Sequence, residues 1–253
     1  MTIAYYTNMR GEANSSEAPR VFPNTRWSVV LAARRNSPES DAALGALCQS
    51  YWYPLYSYVR RRGHSPEDAQ DLTQEFFCRL LEKHWLDSAD REKGKLRTYL
   101  IVALRNFLNK EWRRMSAQRR GGGLAPVQMD TNFAESRLAA DSRTLGPDEM
   151  FDRQWALTLL DLTVNRLRAE FTSAGKSEEF ELLKNCLLAD RRAVDYDGVA
   201  KQLGVQEGAA RVAVHRLRKR FREIYREEIS QTLAEGEDLE TEVQHLAAAL
   251  ARQ

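Results

Sequence analysis

Apolar residues recur at intervals of three and four along most of the chain, a spacing that predicts amphipathic α-helices. One such pattern places Ala69, Leu72, Phe76 and Leu80 on a single face of a helix that begins near Pro66. Similar patterns predict helices over about 25–36, 41–62, 95–115, 147–167, 177–187, 196–202 and 207–228. The chain is therefore expected to be helical over most of its length.

Local residue types mark where some of these helices begin or break. Ser65, Pro66, Glu67 and Asp68 form a start signal, because Ser caps a helix, Pro suits its first position and acids favour its positive end. Pro54 lies inside the preceding helical pattern. It predicts a kink or a break there, because proline lacks the amide proton that the helix needs.

The composition favours helices over sheets. Of 253 residues, 30 are Leu and 30 are Ala, whereas 13 are Val and 4 are Ile. We expect an all-α protein with two small helical domains. A flexible linker is expected to join them, because the stretch before Gly146 has few large apolar residues. The predicted order is a flexible tail (1–23), a helical domain (24–120), the linker (121–146), a helix-turn-helix domain (147–230) and an acidic C-terminal helix (231–253).

The sequence has no residue pattern typical of an enzyme. Its three cysteines lie far apart and its four histidines lack the spacing of metal ligands, so we expect no catalytic residue, metal or cofactor. Apolar runs such as Leu100 to Leu104 are too short to span a membrane, and no signal peptide is visible. These features predict a cytoplasmic protein that is not an enzyme and does not insert into a membrane.

Charge is sorted along the chain, although the formal net charge is only +2. Residues 91–120 carry ten bases and two acids, and residues 205–226 carry seven bases and two acids. Residues 64–90 and 227–253 are acidic, with seven acids each. Two separated basic blocks indicate two contacts with a polyanion; the alternative is that they are solvated helix faces.

The second basic block lies in a helix-turn-helix pattern, in which a short helix, a turn containing Gly204 and a longer helix follow one another. A basic outer face on the longer helix suits docking in the major groove of DNA. An ordinary surface helix rich in Arg is the alternative interpretation. The residues predicted on this outer face are Arg211, Val212, His215, Lys219 and Arg226.

The first basic block lies in the helix over 95–115, which has an unusual polar face. Amides can hydrogen-bond base edges, arginines can hold phosphates, and the flanking Tyr99 and Trp112 can stack on unpaired bases. Core packing is the alternative for each aromatic residue alone, but the combined face favours single-stranded DNA. The residues placed opposite the apolar stripe are Thr98, Val102, Arg105, Asn106, Asn109 and Arg113.

Three stretches occur in a set order: DLTQEFF at 71–77, LRTYL to ALRN at 96–106, and YDGVA, LGV and HRLR within 196–218. They resemble, in turn, the regions of sigma factors that dock on the polymerase clamp, melt and read the minus-ten promoter element, and read the minus-thirty-five element. Over about residues 24–230 the chain thus resembles a sigma factor of the extracytoplasmic-function (ECF) type, a subunit of bacterial RNA polymerase.

The resemblance implies one helical domain for each promoter element, transcription initiation as the function, and no catalysis by this chain. It implies core polymerase, through its clamp and flap, and promoter DNA as partners; an anti-sigma protein is a further partner that it allows. The polymerase contacts that it implies are Asp71, Gln74 and Glu75. The minus-ten contacts are Lys95, Arg97, Arg105, Asn106, Asn109, Lys110 and Arg113, and the minus-thirty-five contacts are Arg211, Val212, His215, Arg216 and Lys219.

Two other classes of function compete with this one. A helix-turn-helix regulator that acts without core polymerase needs neither the acidic helix nor the first basic block. A structural helical module leaves both basic faces unexplained. At the C-terminus, Leu239, Val243, Leu246 and Leu250 predict an amphipathic helix that either packs on the body of the protein or binds a regulator.

Overall fold

A computed structural model describes residues 38–82, 85, 94–115, 134–136, 138, 145–187, 189–190 and 192–252. These ranges are mostly helical and contain no strand, which confirms the predicted all-α class. The predicted tail and the predicted helix over 25–36 lie outside them. The helices are α1 (Pro38–Arg61), α2 (Pro66–Glu82), α3 (Leu96–Met115), α4 (Pro147–Ser173), α5 (Ser177–Leu183), α6 (Tyr196–Leu203), α7 (Glu207–Ser230) and α8 (Leu239–Ala251).

Helix α1 continues through Pro54, so the predicted break does not occur. Around the proline the side chains are deeply buried, and Tyr51, Tyr56 and Tyr58 are at most 2% exposed. Tyr51 also stacks on Trp155 of α4, with ring centroids 4.3 Å apart. Burying one large apolar side chain contributes about 1.5–3 kcal/mol, so several together outweigh the roughly 3 kcal/mol that an internal proline costs.

Helix α2 begins where its start signal predicts. The backbone amide of Asp68 donates to Ser65 Oγ at 3.1 Å, which is the expected N-cap bond. Ala69, Phe76 and Leu80 are fully buried, and Phe76 lies 5.8 Å from the Phe107 ring of α3. The apolar stripe therefore faces the core and leaves the opposite, acidic face towards solvent.

The described residues form two compact units. The first unit contains α1, α2, α3, the beginning of α4 as far as Leu159, and residues 228–252 with α8. The second unit contains residues 160–227. The boundary between the units therefore falls within α4, whereas the sequence places a linker at 121–146.

Part of that predicted linker is described, and it packs on the first unit. Residues 134–136 are helical, and Ala134 is buried. Arg60 donates to Glu135 from Nε at 2.7 Å and from Nη2 at 2.9 Å, and these bonds hold the pKa of Glu135 below its ordinary value. The rest of the linker lies mostly outside the described residues, so its flexibility stays a prediction.

The second unit has its own apolar core, which fixes the position of α7. Arg218 of α7 donates to the carbonyl oxygens of Cys186 at 2.8 Å and Ala189 at 2.7 Å, so the connection after α5 is held against the same helix. The buried residues of this core are Leu167, Phe180, Leu183, Cys186, Leu187, Val214, Leu217, Phe221 and Ile224.

Candidate polymerase and nucleic-acid interfaces

The solvent-facing side of α2 carries the three residues predicted to contact polymerase. Asp71 is exposed, whereas Gln74 and Glu75 are half-buried. Glu75 accepts a hydrogen bond from Arg79 Nε at 2.7 Å, and Arg79 also pairs with Glu111 of α3 at 2.6 Å. Because Glu75 already has a cationic partner, Asp71 is the more available carboxylate of the two.

Helix α3 has one buried and one exposed face, as its pattern predicts. Leu100, Leu104 and Phe107 are at most 1% exposed, whereas Val102 is 46% exposed. The other exposed residues of the outer face are Thr98, Asn106, Asn109 and Lys110. Asn106, Asn109 and Lys110 therefore lie on one surface that a ligand can reach. The side chains of Trp112 and Arg113 fall outside the described residues.

Arg105 lies at the edge of this surface and is already bonded. Its Nε donates to the hydroxyl of Tyr58 at 3.0 Å, and its guanidinium pairs with Asp148 at the start of α4. The Tyr58 hydrogen bond raises the pKa of Arg105 above its ordinary value. The side chain is 41% exposed, so Arg105 combines a fixed orientation with access to solvent.

Arg97 is buried in this structure, so its assignment as a DNA contact stays a prediction. The residue is 7% exposed. Its Nε donates to Glu242 Oε1 of α8 at 3.0 Å, and its Nη1 pairs with Asp152 of α4. Lys95 is half-buried beside it, with Nζ 2.6 Å from Glu242 Oε2 and 3.5 Å from Glu237 Oε1. In this structure both cations face carboxylates of the protein itself.

The helical periodicity of α3 already carried the signal for this burial. Arg97 precedes Leu100, Leu104 and Leu108 by three, seven and eleven residues, and these intervals place all four on one side of a helix. The sigma-factor resemblance implies Arg97 as a DNA contact, but the position of Arg97 on the helix predicts burial. A buried Arg requires an anionic partner, so its position also predicts a carboxylate from elsewhere in the chain.

That partner is Glu242, which the sequence alone did not single out. Glu242 is 1% exposed. On the same helix Leu239 and Val243 are half-buried, and Leu246 is fully buried. The C-terminal helix therefore packs on the first unit, which was one of the two predicted roles. It does so with a carboxylate in the middle of its buried face.

In the second unit, α6, a tight turn and α7 form the predicted helix-turn-helix. Asp195 caps α6 by accepting from the backbone amide of Gly198 at 2.9 Å. Gly204 has φ of 66°, a left-handed conformation that glycine adopts without strain, and it ends α6. The amide of Val205 then donates to the carbonyl of Ala200 at 3.0 Å.

The outer face of α7 is exposed at all five residues predicted to contact DNA: Arg211, Val212, His215, Arg216 and Lys219. Arg211 is the most constrained of them. Its guanidinium carbon lies 4.3 Å from the centroid of the Tyr196 ring, and its Nε donates to Glu207 at 3.0 Å. These contacts join the first turn of α7 to the beginning of α6.

The described residues hold no group of three or more His, Cys, Asp or Glu side chains placed to bind a metal ion. Burial raises the pKa of the Cys48 thiol to about 11, so this thiol is protonated at neutral pH. None of the helices in the described ranges is long and apolar enough to cross a membrane.

Comparison with known families gives one match, which lies within the first unit. The family model described as Sigma-70 region 2 matches residues 47–119, which span the greater part of α1, all of α2 and all of α3. Comparison with curated proteins and with solved structures gives no match. The match covers less than half of the 253 residues, so this part of the first unit, and not the whole chain, is similar to Sigma-70 region 2.

Proposed function

We propose that the chain is an ECF-type sigma factor that binds core RNA polymerase, directs it to a promoter and takes part in opening the DNA. The observation that carries the proposal is the family match over residues 47–119. The match covers the acidic surface of α2 and the amide-bearing surface of α3, and these are the two surfaces that such a function needs.

Helix α2 supplies the polymerase contact. Asp71 and Gln74 are spaced by three residues, and Asp71 and Glu75 by four, so the three side chains share one helix face. The segment 64–90 carries seven acids and two bases, which suits a basic partner surface. Complementary charge steers association and fixes the orientation of the complex.

Helix α3 supplies the minus-ten contact. Asn106 and Asn109 present amides that can pair with the edge of an unpaired base, and Lys110 presents a cation for a phosphate. Base contacts of this kind carry sequence information, whereas phosphate contacts set position and affinity. Opening the duplex therefore depends on Asn106 more than on its charged neighbours.

Helix α7 supplies the minus-thirty-five contact. His215, Arg216 and Lys219 are exposed within two turns and can reach base edges and flanking phosphates in the major groove. Val212 is 48% exposed and offers an apolar contact to a thymine methyl group. Arg211 is held by Tyr196 and Glu207, so its orientation is set before DNA arrives.

Gel filtration of the full chain with purified core RNA polymerase tests the proposal. We expect the wild type to co-elute and Asp71→Arg to associate more weakly, because like charges across an interface cost several kcal/mol. Glu178→Arg is the matched control, since it makes the same charge change at an exposed residue of α5 in the second unit.

The same experiment separates the competing function. A chain that binds duplex DNA but never associates with core polymerase is a helix-turn-helix regulator, and the sigma-factor proposal is then wrong. Equal loss of association in Asp71→Arg and Glu178→Arg would mean that net charge, and not the α2 surface, controls binding.

A further inference from the structure

We propose that the C-terminal segment 231–252 is an acidic cover, which competes with nucleic-acid phosphate for the cations at the beginning of α3. The inference rests on the proposed function, because it takes α3 as a DNA-binding helix. In this structure, carboxylates of the cover pair with Lys95 and Arg97. When the cover leaves, Lys95 and Arg97 become available to phosphate at the beginning of α3.

The contact that carries the inference is a cluster of opposite charges inside the first unit. Glu242 is almost completely buried, and its two oxygens face Arg97 and Lys95 at 3.0 and 2.6 Å. Glu237, which precedes α8, lies 3.5 Å from Lys95 Nζ. The cover thus presents to these cations the same charge that a phosphate would bring.

The segment is acidic beyond these two residues. Residues 231–252 carry five acids and one base, whereas residues 91–120 carry ten bases and two acids. A helix that packs by apolar contacts alone does not need charge opposite to that of its partner. A segment with that charge lowers the affinity of the surface that it covers for any polyanion.

The cover also makes contacts that do not involve α3. Asp238 accepts from the amide of Thr241 at 2.7 Å, which caps α8 within the cover itself. At its end, Arg153 of α4 donates to the carbonyls of Leu250 at 2.6 Å and Arg252 at 2.9 Å. Between the ends, Leu246 and Ala249 supply the buried apolar surface. Docking can therefore be weakened without changing any residue that faces Lys95 or Arg97.

The docked state is also modest in size. Helix α8 has 13 residues, and a helix of that length is marginal in water without tertiary contacts. Its fully buried side chains are a glutamate, a leucine and an alanine, so a charged contact lies within the buried face by which it docks. Charge-based docking is the kind that a polyanion can replace, because the cations exchange one anionic partner for another.

Salt-dependent DNA binding distinguishes a cover from a structural brace. The full chain and its variants are titrated against a fluorescein-labelled oligo-dT strand over a series of salt concentrations. Leu246→Asp undocks α8 through its apolar contact and leaves Glu242 in place. We expect tighter binding and a steeper salt dependence, by about 1.4 in the slope, since each single-strand phosphate neutralised adds about 0.7.

Three further variants fix the interpretation. Glu242→Gln should change the slope in the same direction, because it removes the carboxylate between the two cations. Adding Arg97→Gln to Leu246→Asp should cancel about half of the gain. Glu235→Gln is the matched control, since it removes one acidic charge at an exposed residue of the same segment, and it should leave the slope at the wild-type value.

Circular dichroism checks that each variant remains folded. If Leu246→Asp unfolds the first unit, the slope measured for Glu242→Gln alone tests the proposal. If Leu246→Asp and Glu242→Gln are both folded and both keep the wild-type slope, the proposal is wrong and α8 is a structural brace. Association with core polymerase, measured in parallel, reports on the sigma function separately. If the wild type binds polymerase but the variants do not change the slope, only the cover proposal is wrong. If the wild type does not bind polymerase, the proposed function itself is wrong.

Discussion

At the scale of single residues, Arg97 of α3 forms a deeply buried ion pair in the first unit. Its side chain is 9% exposed, and its main partner Glu242 is 2% exposed at the side chain. Arg105 also pairs with a carboxylate, but there the two side chains are 41% and 63% exposed. The two arginines belong to one helix and differ chiefly in burial, so they form a natural comparison.

Replacing Arg97 by Ala should destabilise the first unit strongly. Removing one partner of a buried ion pair leaves an uncompensated charge and costs about 3–5 kcal/mol. Replacing Arg105 by Ala should cost about 1 kcal/mol or less, because exposed pairs contribute little. Urea unfolding followed by circular dichroism measures both. In the double variant Arg97→Met with Glu242→Leu, most of the stability should return, because no buried charge is left without its main partner. Similar losses for Arg97→Ala and Arg105→Ala would show that burial of the pair does not set its strength.

The sequence could predict these residues only in part. The core face of α3 follows from the spacing of Leu100, Leu104 and Phe107, and the exposure of Asn106 follows from the same spacing. The partner of Arg97 could not be predicted, because Glu242 lies 145 residues away and no local pattern joins them. The continuation of α1 through Pro54 could not be predicted for a related reason, since it depends on aromatic packing that only the tertiary structure provides.

At the scale of helices, the beginning of α6 couples a cap to a glycine. A Cβ atom placed on Gly198 would clash with Asp195 Oδ2. The short Asp side chain would therefore have to leave its capping position, where it accepts from the Gly198 amide at 2.9 Å. The gain in helix propensity from Ala and the loss of the cap are each about 1 kcal/mol, so they oppose each other.

A double-mutant cycle measures this coupling. In the wild type, Gly198→Ala should leave the stability of the second unit nearly unchanged or slightly lower. In the Asp195→Ala background, where no cap remains to be displaced, the same substitution should stabilise by about 1 kcal/mol. Denaturant unfolding of the four proteins provides the four free energies. Equal effects of Gly198→Ala in the two backgrounds would show that the glycine and the cap are independent.

The exposed face of α3 yields a second prediction at this scale. Asn106→Ala should impair promoter opening more than binding to core polymerase, because the amide is exposed and its loss leaves the buried face intact. A bidentate base contact is worth roughly 1–3 kcal/mol. Permanganate footprinting of the open complex, alongside a polymerase-binding assay, measures the two effects. The neighbouring Lys110→Ala is the control, because a phosphate contact should reduce affinity without changing which promoter positions open. A variant Asn106→Ala that opens the promoter as well as the wild type contradicts the base-reading role.

At the scale of the whole molecule, the order of the elements along the chain differs from their grouping in space. The sequence pattern predicts domains that follow one another, divided at the Gly-rich stretch. The first unit instead gathers the matched region 47–119, the beginning of α4 and the C-terminal α8. Tyr51 on Trp155 and Arg97 on Glu242 are the contacts that join these distant pieces. Local periodicity predicts each helix well, but it contains no information about pairings over a hundred residues apart.

Native-state hydrogen exchange can test this grouping in the full chain. Amides at the beginning of α4 should become exchange-competent together with those of α3, because elements that share buried contacts open as one cooperative unit. Amides of α8 should exchange earlier, because the cover undocks while α3 stays folded. Amides of α6 and α7 should form a separate set, since their apolar core lies within residues 160–227. Leu246→Asp should accelerate exchange in α8 first and leave the second set at its wild-type rates, because Leu246 belongs to the first unit. Exchange of α8 in step with α7 would contradict the grouping, and would also remove the basis for a cover that acts on α3.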